Sequence, residues 1–104
     1  MVTTLAIDTP NTGQLNLSAG VWTQLKTTNT PCTKIAIAAR AASANANNVY
    51  FIGWPIGSAP VGLDIGERVL PPTATGISYL LYSDARILWF YAITSGDRVN
   101  FSIE

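Results

Sequence analysis

The sequence predicts an all-β fold, a single antiparallel β-sandwich of about eight short strands with jelly-roll-like connections. Three observations carry that reading. Apolar residues recur with a period of two in several short runs. Turn residues punctuate those runs at roughly 8–12-residue spacing. Helix signals are sparse, the one rival being the alanine-rich stretch 36–46, where Asn45, Asn47 and Asn48 favour a turn and Ile35 and Ile37 a strand.

Taken in chain order, Leu5 and Ile7 mark a first weak strand and Leu15 and Leu17 a second. Between them Thr9-Pro10-Asn11-Thr12-Gly13 breaks any continuous strand. Residues 1–20 are therefore expected either as edge strands or as an extended arm that adds to a partner's edge. Residues 21–26 alternate around Val21, Thr23 and Leu25, with Trp22 on the opposite face. Residues 34–39 alternate around Ile35 and Ile37, and residues 49–54 form a strong strand stopped by Pro55. The stretch 53–66, with four glycines and two prolines, reads as a surface loop. A short strand is expected at 68–70 before Pro71-Pro72, and another at 77–82.

The run 87–93, Ile-Leu-Trp-Phe-Tyr-Ala-Ile, is apolar on both sides. It suits a central strand covered on both faces, or a strand at an oligomer contact. Val99, Phe101 and Ile103 alternate with polar residues in the last strand. Ser95-Gly96-Asp97 reads as the turn of a hairpin joining these two strands. The expected core is Leu25, Ile35, Ile37, Ile52, Leu81, Leu88, Phe90, Val99, Phe101 and Ile103.

The chain has 104 residues, enough for one domain (1–104) with a core of its own. Apolar residues make up 48% of it, which argues against disorder. Charged residues make up only 12%, against about 25% in a usual soluble domain, so the polar surface must come mainly from Thr, Ser, Asn and Gln. Six basic and six acidic residues cancel to zero net charge. With no basic stripe, nucleic acid is not an expected partner. Neutrality gives little protection against self-association, and together with the apolar run 87–93 it predicts a homo-oligomer, a cyclic trimer. The opening Met-Val-Thr-Thr-Leu has no basic start or long apolar run, and no stretch approaches a membrane span, so synthesis in a cytoplasm is expected.

Chemistry is sparse in the sequence. There is no histidine, which removes Ser-His-Asp and Cys-His catalysis and the commonest metal ligand. The single cysteine, Cys32, allows neither an intrachain disulfide nor a zinc site, and reads as a packed thiol. Asp64 with Glu67, or Asp84 with Asp97, could pair as glycosidase carboxylates, but each sits among turn residues where Asp bonds locally. The glycine spacing between Gly57 and Gly62 imitates a phosphate loop, but Leu63-Asp64 follows where Lys-Ser or Lys-Thr is required. No enzyme activity, metal or cofactor is expected. Trp22 and Trp54 are the candidates for surface binding, and Trp89 for core or subunit contact; packing in the core is the plainer alternative for all three.

One further pattern runs through the chain. Trp22 is followed by Leu25, then Pro31-Cys32 precedes the alternation of Ile35 and Ile37. A strand with Val49, Tyr50 and Ile52 ends at Gly53, a glycine-rich loop carries Gly66-Glu67, and the last strand, 98–104, ends in a carboxylate. In these motifs the segment 22–104 resembles small bacteriophage virion proteins, compact β-sandwiches of which some sit as trimers on capsid shells. It departs from them in Pro71-Pro72 and in the apolar run 87–93. The resemblance implies a capsid decoration (cement) protein on the virion surface, with the major capsid protein as partner. The alternative is a carbohydrate- or receptor-binding module of a tail or fibre. Leu5, Ile7, Trp22, Trp54 and Trp89 are the candidate contacts with shell or neighbouring subunit.

Overall fold

The structure, a computed structural model, describes residues 11–39, 45–72 and 76–104. Its strands are β1 (Thr12–Asn16), β2 (Trp22–Gln24), β3 (Ile35–Ala39), β4 (Val49–Gly53), β5 (Arg68–Leu70), β6 (Ser78–Leu80), β7 (Leu88–Ala92) and β8 (Arg98–Ile103). A single 3-10 turn, η1 (Ala85–Ile87), precedes β7, and the described residues contain no α-helix. The alternation of Ile35, Ile37 and Ala39, all buried, overrides the helix propensity of the alanines between them.

Two four-stranded sheets face each other, one ordered β1-β8-β3-β6 and the other β2-β7-β4-β5. The antiparallel pairs β1–β8, β2–β7, β3–β6 and β4–β5 are those of one long hairpin whose tip is the β4–β5 connection. Two further ladders, β3–β8 and β4–β7, are the seams made when that hairpin rolls up. This is the jelly-roll topology.

Between the sheets lies one core. Ile35, Ile37, Leu80, Val99 and Ile103 from the first sheet meet Val49, Phe51, Leu70, Leu88, Phe90 and Ala92 from the second. Leu17 and Leu25, just past β1 and β2, are buried with them. Phe51 and Phe90 pack in tilted contact, with centroids 6.3 Å apart.

Four expectations change. The turn at 94–97 does not close a hairpin, because β7 pairs with β2 and β4 while β8 pairs with β1 and β3. It carries the chain from one sheet to the other, tied down by Leu17, which donates its N–H to Asp97 O and accepts from Gly96 N. Leu81 is not in the core: it is 82% exposed, and its neighbour Leu80, 3% exposed, takes the inward place. Phe101 is only half-buried, since its partner across β1 is Gly13, which offers no side chain to cover the ring. Finally, Thr12 and Gly13 do not break a strand; β1 runs through them as an edge strand on β8. Of the two readings of 1–20, the edge strand is what β1 forms from Thr12 to Asn16, and residues 1–10, with Leu5 and Ile7, lie outside the described residues.

Candidate functional site

The three tryptophans occupy different places. Trp22 and Trp89 lie on the outer face of the β2-β7-β4-β5 sheet, where alternation puts Trp22, Tyr91, Tyr50 and Val69 in one cross-strand row and Gln24, Trp89 and Ile52 in the next. Trp22 and Tyr91 pack at 5.3 Å between centroids, and Tyr50 meets Tyr91 edge-on at 6.4 Å. The β4–β5 loop is tied to this face: Trp22 Nε1 donates to Gly62 O at 2.8 Å. Ile52 beneath is 9% exposed. The run 87–93 is thus a central strand whose inner residues are buried and whose outer aromatics are half-buried.

Trp54 stands elsewhere, just past β4, with its backbone N–H on Ile87 O at 2.8 Å. It helps line an open pocket of about 620 Å³ with Gly53, Ile56, Arg68, Tyr82 and Ile87 among its walls. Gly53 is needed there, since a Cβ would lie 2.7 Å from Tyr82 Oη. Arg68 lies over the ring of its cross-strand neighbour Phe51, 5.3 Å from the centroid. Trp54 Nε1 is buried with no hydrogen-bond partner among the described residues, as is Arg98 Nε.

The feature the sequence did not announce is on β6. Period two puts Ile77, Tyr79 and Leu81 on one face and Ser78 and Leu80 on the other. The more apolar face points outward. Ile77 is 59% exposed, Tyr79 57% and Leu81 82%, while Leu80 fills the core. Beside this ridge the outer surface of the same sheet is built from small residues, Ala36, Ala38, Asn100 and Ser102, which with Ile77 line a shallow groove of about 180 Å³. Lys34 Nζ sits 5.2 Å from the Tyr79 centroid and pairs with Glu104 at 3.8 Å, so the charge beside the ridge is balanced locally. Among the described residues β6 has β3 on one side and no strand on the other. The alternation at 77, 79 and 81 is visible in the sequence, but only the fold decides which face turns outward.

The carboxylates are taken up by the backbone. Glu67 accepts from Asp64 N at 2.6 Å and Ile65 N at 2.8 Å, which closes the turn where Asp64 adopts φ 62°. Those backbone donors hold the Glu67 carboxyl below its ordinary pKa. Asp97 accepts from Ala46 N at 2.8 Å and Asn47 N at 3.1 Å. Asp84 caps η1, taking the N–H of Arg86 at 2.9 Å and a salt bridge from its guanidinium at 2.8 Å. The Arg86 side chain, then the backbone donors of Arg86 and Thr30, hold the Asp84 carboxyl at about 2. Cys32 Sγ donates to Tyr82 O at 3.0 Å, and burial, followed by the nearby Asp84 charge, pushes the thiol up. Among the described residues no three His, Cys, Asp or Glu side chains group as metal ligands, and no helix is long and apolar enough to cross a membrane.

No protein-family model, curated protein or solved structure matches the chain.

What this geometry offers is contact. One sheet presents an apolar ridge beside a flat, small-residue face, the other a half-covered aromatic face, and the end of the sandwich a pocket.

Proposed function

We propose that this chain is a non-catalytic binding and assembly domain, a decoration (cement) protein of a bacteriophage capsid that seats on the major capsid protein and braces neighbouring shell subunits. The observation that carries the reading is the ridge Ile77, Tyr79 and Leu81, turned to solvent on an edge strand with Leu80 anchoring it from below. Contiguous apolar surface of this kind marks an interaction site on a soluble domain. An uncharged edge strand is likewise an invitation to pair with another chain. The motifs shared with small virion β-sandwich proteins supply the kind of partner. Closed symmetry supplies the stoichiometry, three copies about a local threefold of the shell, eased by a net charge of zero.

The rival reading, a carbohydrate- or receptor-binding module, would draw on the aromatics of the β2-β7-β4-β5 sheet. Trp22, the residue best placed for it, already has its indole N–H on Gly62 O. Titrating purified capsid shells with the protein separates the two. A decoration protein coats shells to a fixed number of copies per shell that obeys icosahedral symmetry, and ignores host cells. Binding to cells or glycans with none to shells would overturn the proposal.

A further inference from the structure

The pocket at the end of the sandwich is a feature that shell binding does not use. From its lining we infer that it binds a small apolar carboxylate, with the acid on Arg68 and Tyr82 and the hydrocarbon body against Trp54, Ile56 and Ile87. The volume of about 620 Å³ is that of a small-molecule site. Its walls are mainly hydrocarbon, and Arg68 and Tyr82 are the lining residues that bring a charged and a hydroxyl group to it. Arg68 has no carboxylate within salt-bridge distance among the described residues; its guanidinium rests on the Phe51 ring. The Tyr82 hydroxyl lies over Gly53, the next inward position of β4 after Phe51. The two groups thus stand over neighbouring inward positions of β4, where one carboxylate in the pocket can be offered to both.

Charge selects the acid, because a guanidinium without a carboxylate partner binds an anion far better than a neutral acceptor. The hydrocarbon walls select the body. A sugar acid would leave its hydroxyls desolvated against Ile56 and Ile87 without partners, at a cost that its one ion pair does not recover. A charge on an edge strand also discourages edge pairing, which accounts for Arg68 alone. It does not account for the hollow beside it, or for Gly53, whose missing side chain makes room for the Tyr82 hydroxyl at the pocket wall.

The site also has a scaffold. Asp84 caps η1, η1 presents Ile87, and Ile87 O holds the backbone N–H of Trp54. The two sides of the pocket are thus fixed to each other.

The test is an NMR titration of the intact chain with 3-phenylpropionate, 3-phenylpropanamide and glucuronate. 3-Phenylpropionate is expected to saturate with a dissociation constant below about 1 mM and to move the amides of Gly53, Trp54 and Gly66. The amide, lacking the charge, is expected to bind about tenfold more weakly, and Arg68→Gln to reduce phenylpropionate to the same level. Tyr82→Phe keeps the ring over Gly53 and should weaken binding a few-fold. Absence of saturable shifts with phenylpropionate, or equal binding of acid and amide, would overturn the inference. So would glucuronate binding more tightly than phenylpropionate. The outcome is independent of whether the protein coats shells, so either proposal can fail alone.

Discussion

β5 and β6 are both three-residue strands, and each ends a sheet, yet their edges are built in opposite ways. β5 carries Arg68, an exposed residue whose guanidinium lies over the Phe51 ring, and Pro71-Pro72 follows it at once. A charge and prolines are devices by which natural sheets keep their edges from recruiting other chains. β6 has neither. From Gly76 to Tyr82 there is no charged residue, and the outward side chains are Ile77, Tyr79 and Leu81. One edge is defended and the other is offered. The charges near β6, Lys34 and Glu104, belong to other segments of the chain and pair with each other.

The comparison can be sharpened first at the two adjacent leucines. Leu80→Ala removes a side chain that is 3% exposed and should cost about 2–5 kcal/mol in urea denaturation. Leu81→Ala removes one that is 82% exposed and should change stability by less than about 0.5 kcal/mol. Equal costs would mean that β6 sits one residue out of the register described above, and the ridge would disappear with it.

A second effect concerns the cap just beyond β6. The Asp84 carboxyl is held at about 2, below the ordinary range of an aspartate. A depressed folded-state value contributes stability that is present above pH ~4 and is lost as pH falls from ~4 toward 2. Asp84→Asn should therefore cost about 1–2 kcal/mol at pH 7, allowing for screening by nearby solvent. Parallel denaturation curves at pH 7 and pH 2.5 should show the gap between wild type and variant closing at the acid end. A gap that stays constant with pH would remove the ion pair from the account.

Small too should be the stability effects of placing a charge on either edge. Val69→Lys on β5 and Leu81→Lys on β6 alter side chains that are 46% and 82% exposed. Each should stay within about 1 kcal/mol of wild type in thermal melts. A larger loss at Leu81 alone would mean that the ridge packs within its own chain.

Much of the sandwich was legible in the sequence, for reasons that particular residues make plain. Ile35 and Ile37, or Val99 and Ile103, alternate with small or polar neighbours, so that strand and buried face follow together. What alternation cannot say is which sheet a strand joins. Ser95-Gly96-Asp97 signals reversal equally well whether the chain returns beside β7 or crosses to the other sheet, and here it crosses. Nor does alternation say which face turns inward when both can. In 77–82 the sequence reading puts Leu81 in the core, but pairing of Leu80 with Ile35 fixes the opposite choice. The candidate contacts fared unevenly for the same reason. Trp22, Trp89 and Trp54 were singled out by type, and they land on an aromatic outer face and at an end pocket. The ridge is not among the sequence candidates, because nothing in 77–82 marks which face turns outward, and Arg68 and Tyr82 share a pocket only through the fold.

The most direct test of the account is co-sedimentation with capsid shells of wild type, Leu81→Lys and Val69→Lys side by side. Wild type and Val69→Lys should pellet with shells to the same saturating stoichiometry, while Leu81→Lys, equally well folded, should stay in the supernatant. If Leu81→Lys coats shells as wild type does, the β6 ridge is not the docking surface and the central claim is wrong.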